Sequence, residues 1–235
     1  MISLFPTHSR HVHRLIPFLF LLSSTFLCHN SAFALPVGNY STSQLNARET
    51  AQAIGPAPDE LIVGYRYVVK EKADEYNDVG TLTAIPATTK SIGEGAYLSP
   101  RLGEYYGKLG DNYHECVIFA KKTKIHEMSP KPFFIDDNSV ISAKPAKLFL
   151  YAHKHGVEIG KTVLFSRHFI YTKTLQMLIP PVFLVKSPSN PTRPAGENTL
   201  GLRVHCVPLG GLGKNRPAAD WHAWNVHNWP AGLKT

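Results

Sequence analysis

The chain has 235 residues, of which 43% are hydrophobic and 18% are charged, and its formal net charge is +8. This composition is typical of a globular protein and excludes collagen-like, heptad-repeat and polytopic membrane chains. The lysines and arginines are scattered and never form the basic run that marks a nucleic-acid-binding arm. The charge therefore predicts no nucleic-acid partner.

The first 34 residues have the features of a secretory signal peptide. Arg10 and Arg14 form a basic region without acidic residues, residues 15–27 are apolar, and Ala34 ends a small-residue cleavage motif. The apolar segment is too short for a membrane-spanning helix, which needs about 20 residues. We therefore expect residues 1–34 to be removed, leaving a secreted, extracellular protein without a membrane span.

Two cysteines, Cys116 and Cys206, remain in the expected mature chain. An even pair in an oxidising compartment predicts one disulfide, and two buried free thiols are the alternative. The bridge would close a loop of about 90 residues and stabilise the fold by about 4 kcal/mol on the chain-entropy model. Asn39 heads the only glycosylation sequon, Asn39-Tyr40-Ser41, which predicts a glycoprotein.

After a flexible, polar lead-in at 35–57, the chain consists of short apolar runs separated by Gly, Pro, Asn and Asp. The run 61–69 predicts a strand, and 70–80, with an acidic start and a closing glycine, predicts a short helix. The other predicted strands are 116–121, 147–151, 162–165, 177–179, 182–186 and 202–207.

These runs predict one α+β domain over 58–209, because few windows show the helical 3.6-residue period. A Gly- and Trp-rich tail follows at 210–235. Its three tryptophans should pack back on the domain, since exposed they would form a large apolar patch.

Two features of the domain suggest a ligand site. Arg66, inside the apolar strand 61–69, is costly to bury unless it meets an anion or a carboxylate; the alternative places it on the solvent face of an edge strand. Gly93 and Gly95, one residue apart, allow close approach of the backbone to a ligand. Tyr97 and Ser99 follow two positions apart, so that their side chains share one face of a strand.

Taken in order, these segments resemble the ADP-ribosyltransferases, the enzymes that cleave NAD. That family has a strand bearing Arg or His, then a Gly-x-Gly segment leading to a short strand with Ser, Thr or Tyr, then an aromatic-bearing helix, and much later a strand with a catalytic glutamate. The corresponding segments here are Gly64-Tyr65-Arg66, 93–100 and 174–181. The resemblance implies two packed, mostly antiparallel sheets with few short helices.

The resemblance also implies a role for each residue of these segments. Arg66 would hold the diphosphate of NAD, and the glycine pair would line the cofactor. Ser99 would orient the first strand or the nicotinamide ribose, and Tyr97 or Tyr105 would stack on nicotinamide. NAD is therefore the one cofactor that the resemblance suggests, and no metal is predicted.

Gln176 stands where the family has its catalytic glutamate. A glutamine keeps a hydrogen bond to a ribose hydroxyl but loses the charge that stabilises a cationic transition state, a loss on the order of 10²–10³ in rate. Either the alignment is displaced, or Glu94, Glu104 or Glu158 supplies the charge, or the fold has lost transferase activity.

The sequence therefore predicts a secreted virulence or effector factor that acts on or binds a protein of another cell. An active NAD-dependent protein ADP-ribosyltransferase is the alternative. The target protein and the oligomeric state are not predicted.

Histidines suggest two other kinds of site. His153 and His155 share a face of a predicted strand, and His222 and His227 flank the tryptophans, but zinc needs three or four converging ligands. The alternative to a zinc site is that these histidines are solvated or hydrogen-bonded to other residues and bind no metal.

A secreted ribonuclease, the remaining enzyme class, would use histidine and glutamate as acid and base. His114-Glu115 and His126-Glu127 supply the residue types. Adjacent residues on a strand point to opposite faces, so neither pair forms a site by itself.

Overall fold

The computed structural model describes residues 54–84, 91–104, 109–141 and 145–235. The expected signal peptide, Asn39, Tyr105 and nearly all of the lead-in 35–57 lie outside these described residues. Within the described ranges, no helix is long and apolar enough to cross a membrane.

Seven strands form two sheets in the described part of the chain. The first sheet is antiparallel, in the order β1-β3-β7, with β1 Glu60–Val69, β3 Tyr113–Lys121 and β7 Arg203–Pro208. The second has the order β2-β6-β5-β4, with β2 Ala96–Leu98, β6 Leu175–Ile179, β5 Leu164–Arg167 and β4 Phe133–Ile135. Only the β4–β5 pair is parallel, so the predicted α+β class with two mostly antiparallel sheets is confirmed.

Within the described ranges, helices are few and short, as predicted. They are α1 Lys70–Val79, α2 Lys122–His126 and α3 Pro145–Lys154, with single 3₁₀ turns at Pro181–Phe183 and Trp221–Trp224. The predicted elements at 61–69, 70–80, 116–121, 177–179 and 202–207 match β1, α1, β3, β6 and β7. The prediction at 162–165 overlaps β5 at its last two residues.

Two strand predictions are wrong. Residues 147–151 lie in α3, where Leu148 and Ala152, four residues apart, are buried while Phe149 and Leu150 face solvent. This spacing is that of one helix face, and the short apolar run concealed it. Residues 182–186 begin in the 3₁₀ turn and contribute only the single bridge between Val185 and Thr83.

The main core lies between the two sheets and includes the tail. Val63 of the first sheet and Phe165 of the second belong to it, together with Trp221 and Trp224. These two tryptophans are 0% and 3% exposed, and their ring centroids lie 5.1 and 6.0 Å from that of Phe165. The prediction that the tryptophans pack on the domain is confirmed, and Trp221 Nε1 also donates a hydrogen bond to the Val63 carbonyl at 2.7 Å.

Cys116 and Cys206 are joined by a disulfide, as predicted. They lie directly opposite each other in the β3–β7 ladder and are 90 residues apart in the sequence. The bridge therefore ties the last strand of the domain to its central strand.

A partly buried carboxylate connects α1 to the segment after the 3₁₀ turn. Glu75 accepts hydrogen bonds from the hydroxyls of Thr83, Ser187 and Ser189 at 2.5–2.6 Å and from Lys72 Nζ at 2.6 Å. Burial raises the pKa of Glu75, but these hydrogen bonds outweigh it and bring the pKa down to about 2.

Candidate functional site

The two sheets meet where β1 approaches the end of β2. Tyr65 and Ser99 exchange two backbone hydrogen bonds, each 2.9 Å long. A Cβ atom at Gly64 would lie 2.8 Å from the Ser99 carbonyl oxygen, so this approach requires glycine. The junction brings Arg66, the next residue of β1, beside the second sheet.

Arg66 points to the inner side of β1 and is half-buried. It lies opposite Cys116 in the β1–β3 ladder, so both share the face that carries Val68 and the main core. The solvent-face alternative is therefore wrong, although β1 is an edge strand. Arg66 Nε and Nη1 are buried and have no hydrogen-bond partner among the described residues. Buried N–H groups of this kind cost free energy until an acceptor binds them.

The hydroxyl of Tyr97 closes the loop 91–95 over the second sheet. It accepts a hydrogen bond from Ile92 N at 3.0 Å and donates one to the Gly93 carbonyl at 2.7 Å. Burial raises the pKa of Tyr97, and these hydrogen bonds, the Ser91 hydroxyl and the charge of Arg66 oppose that rise. Tyr97 therefore lies within electrostatic reach of Arg66, with its hydroxyl committed to the loop.

The glycine pair lets the same loop lie against β6. A Cβ atom at Gly95 would lie 2.1 Å from the Ile179 carbonyl oxygen, and one at Gly93 would lie 3.0 Å from Leu178 Cδ2. The close approach that the sequence suggested for a ligand is here an approach to the protein's own strand.

Gln176 is only 6% exposed, and both ends of its amide are hydrogen-bonded. Its Oε1 accepts from Ser91 Oγ at 3.3 Å, and its Nε2 donates to Ser166 Oγ at 2.9 Å and to the Arg167 carbonyl at 3.2 Å. The Ser166 hydroxyl itself donates to the Arg167 carbonyl at 2.9 Å. The position therefore calls for a hydrogen-bond donor, which glutamine supplies and an ionised glutamate does not.

Ser99 contacts the backbone. Its Oγ donates to the Arg101 carbonyl at 2.9 Å and reaches the Tyr65 carbonyl at 3.4 Å. The resemblance implies two roles for Ser99. These contacts match one of them, the orientation of the first strand.

Ser91 links two of the candidate residues. Its hydroxyl donates a hydrogen bond to Gln176 Oε1, and it opposes the rise in the pKa of Tyr97 that burial causes. The residues before and after Gln176 in β6 belong to the main core, which Arg66 faces from β1, so the Gln176 side chain points to the opposite face of the second sheet. Sequence reasoning missed Ser91, although it stands two residues before Gly93. It also missed Ser166, because only the β5–β6 register places that residue opposite Gln176.

The three alternative carboxylates have other partners. Glu94 forms an ion pair with Arg193, and the exposed Glu158 forms one with Lys161 at 2.7 Å. Glu104 accepts a hydrogen bond from a backbone amide three residues earlier, and burial raises its pKa. In these positions the carboxylates stabilise surface loops.

The histidine-based sites find no support in the geometry. Glu115 is 4% exposed and accepts a hydrogen bond from Leu212 N at 2.6 Å, while His114 lies on the opposite face of β3. His126 and Glu127 are exposed at the end of α2. The strand face predicted for His153 and His155 is wrong, since α3 extends to Lys154. Across the described ranges, no three His, Cys, Asp or Glu residues converge as metal ligands.

The connection between β5 and β6 carries an exposed apolar tip that the sequence reading missed. Phe169, Ile170 and Tyr171 are 41%, 60% and 40% exposed. His168 Nδ1 accepts hydrogen bonds from the backbone amides of Ile170 and Tyr171 at 3.2 Å, and its ring stacks on those of Phe169 and Tyr171. The burial that lowers the pKa of His168 favours the neutral ring that can accept these bonds. This 168–171 tip lies five residues before Gln176 along the chain.

No curated protein matches the chain. A family model described as a family of unknown function, DUF5910, matches residues 90–229, which is more than half of the chain. The match includes the loop 91–95, Gln176 and all three tryptophans, and it begins after Arg66. The chain therefore belongs to this family of unknown function, DUF5910.

Proposed function

We propose that the protein is a secreted effector-type factor with an ADP-ribosyltransferase-like fold. It binds a protein of another cell, holds NAD at Arg66, and turns NAD over slowly or not at all. The observation that carries the proposal is the hydrogen bonding of Gln176, whose amide satisfies Ser91, Ser166 and the Arg167 carbonyl.

This hydrogen bonding argues against fast catalysis. Cleavage of NAD at the nicotinamide bond builds positive charge on the ribose, and preorganised negative charge is what stabilises it. Gln176 offers no charge, and its side chain is already engaged with its neighbours. Turnover should accordingly be slower by on the order of 10²–10³ than with a glutamate in that role.

Arg66 supports the binding of NAD and also keeps the active-enzyme alternative open. Its buried, unpartnered Nε and Nη1 groups are suited to a diphosphate oxygen, because guanidinium groups bind such anions in a planar, bidentate manner.

The 168–171 tip is the surface that we assign to the partner protein. Exposed aromatic side chains are frequent at the centres of protein interfaces. The stacking of His168 on Phe169 and Tyr171 fixes these rings in advance, which lowers the entropy cost of binding.

Incubation of the protein with labelled NAD and a lysate of candidate target cells tests the enzymatic part. We expect neither labelled protein nor released nicotinamide from wild type. An active transferase, the alternative, would instead produce labelled protein. Arg66→Ala should then abolish the label, whereas Arg101→Ala, at an exposed arginine, should leave it unchanged.

Retention of lysate proteins on the immobilised chain tests the binding part. The variant Ile170→Asp should lose the retained partner, whereas Val182→Asp, at a valine that is 40% exposed elsewhere, should keep it. Equal retention by both variants would remove the tip from the proposal.

A further inference from the structure

A cleft lies at the edge of the second sheet, beside β4. Its volume is about 420 Å³, which falls in the range of small-molecule sites. The residues that line it include Lys131, Phe133, His155, Val157, Thr162 and His227. Its lining includes neither Arg66 nor Gln176, so this inference is independent of the proposed function.

Thr162 is the observation that points to a ligand. The residue borders the cleft and is only 2% exposed, and its Oγ1 is buried without a hydrogen-bond partner in the part of the chain that the structure describes. Buried hydroxyl groups are almost always hydrogen-bonded. Rotation of the Thr162 side chain towards the cleft would let a ligand atom satisfy this one.

The other polar groups around the cleft are mainly donors. Lys131 Nζ gives one hydrogen bond to the His126 carbonyl at 3.1 Å, which leaves further N–H groups for a ligand. His155 and His227 flank Phe133, each with its ring centroid 5.5 Å from that of Phe133. No Asp or Glu is among the residues that line the cleft. A lysine and imidazole N–H groups without a lining carboxylate complement an anion.

The walls of the cleft are fixed by backbone hydrogen bonds. His227 N donates to the Pro132 carbonyl at 2.8 Å, and the His227 carbonyl accepts from Phe134 N at 2.9 Å. On the opposite side, Val157 N donates to the Ala152 carbonyl at 2.8 Å at the end of α3. A ligand thus meets walls that are already in place, which favours affinity, and only the Thr162 hydroxyl has to turn.

We propose that this cleft binds a small organic anion. A carboxylate or phosphate group accepts hydrogen bonds from the Thr162 hydroxyl and Lys131 Nζ. The apolar body of the ligand lies against the ring of Phe133 and the side chain of Val157.

Titration of the protein with three probes, followed by amide chemical shifts, tests this proposal. The probes are benzoate, phenyl phosphate and the neutral benzyl alcohol. We expect saturable shifts at Lys131, Phe133, Thr162 and His227 with at least one anion, and at least tenfold weaker binding of benzyl alcohol. The two anions distinguish a carboxylate site from a phosphate site. No saturable shift with either anion, or equal binding of the alcohol, would overturn the proposal.

Variants tie the binding to the named groups. Thr162→Val removes the hydroxyl at nearly constant volume, and Lys131→Met removes the charge of an exposed residue without a folding risk. Each should weaken the anion about tenfold, the effect of losing one hydrogen bond to a charged group. Thr81→Val is the matched control, because Thr81 is also buried with an unpartnered hydroxyl but does not line the cleft. Unchanged affinity in Lys131→Met would contradict the anion site even if Thr162→Val failed to fold.

Discussion

Replacing Gln176 by glutamate should destabilise the protein at neutral pH. The new carboxylate oxygen would face the Arg167 carbonyl, to which Gln176 Nε2 now donates at 3.2 Å, at a position only 6% exposed. The Ser166 hydroxyl can turn towards the carboxylate, but it then gives up its own bond to the Arg167 carbonyl. One lost donor and one buried charge together cost about 2–3 kcal/mol.

The cost should depend on pH in a defined direction. Burial and the facing carbonyl favour the protonated acid, so the pKa of the introduced glutamate is raised above its unfolded value of about 4.3. A protonated glutamate donates one hydrogen bond where Gln176 Nε2 donates two, so most of the penalty is absent below about pH 4. It grows as the pH rises towards the raised folded pKa and is complete above that value.

Urea denaturation of wild type and Gln176→Glu at pH 4 and pH 7.5 measures this difference. Gln176→Met is the matched control: it removes the hydrogen bonds without adding a titratable group, so its effect should be the same at both pH values. Equal stability of Gln176→Glu and wild type at pH 7.5 would refute the reasoning. It would mean that a positive charge near position 176 neutralises the carboxylate, as an active transferase site requires.

Other predictions concern the fold around the site, and urea denaturation checks each. Glu75→Gln should lower the free energy of unfolding by up to about 3 kcal/mol at pH 7, because the ionised Glu75, with a pKa of about 2 against a usual 4.5, stabilises the native state. This loss should become smaller as the pH drops from 4.5 towards 2. The double variant Cys116→Ala and Cys206→Ala should lose about 4 kcal/mol of stability, and an unchanged urea midpoint would contradict the bridge. Gly95→Ala should lose more than about 2 kcal/mol, since its Cβ atom would lie 2.1 Å from a β6 carbonyl oxygen. Gly55→Ala, with nothing within 4 Å, should be neutral.

Local patterns in the sequence predicted much of the fold. The apolar run of β1 and the acidic start and closing glycine of α1 are local signals, and the structure has both elements. The count of two cysteines in the expected mature chain was enough to predict the Cys116–Cys206 bridge. The strand prediction at 147–151 failed because a run of five apolar and basic residues does not separate a strand from one side of a helix.

The candidate site depends on register, which one sequence does not reveal. Ser166 lies opposite Gln176 only because β5 and β6 pair as they do. The glycine pair was interpreted as a ligand contact, although the spacing alone does not distinguish a ligand from a neighbouring strand. The 91–95 loop packs on β6 through long-range contacts of this kind.

The proposed function requires that Arg66 binds NAD and that Gln176 does not support fast cleavage. Titration calorimetry of NAD with wild type, Arg66→Met and the exposed-site control Arg101→Met tests it most directly, with released nicotinamide measured in the same samples. We expect wild type and Arg101→Met to bind NAD alike, Arg66→Met to bind at least tenfold more weakly, and nicotinamide to stay at the background level. Absence of NAD binding by folded wild type, equal affinity in Arg66→Met, or rapid release of nicotinamide would contradict the account.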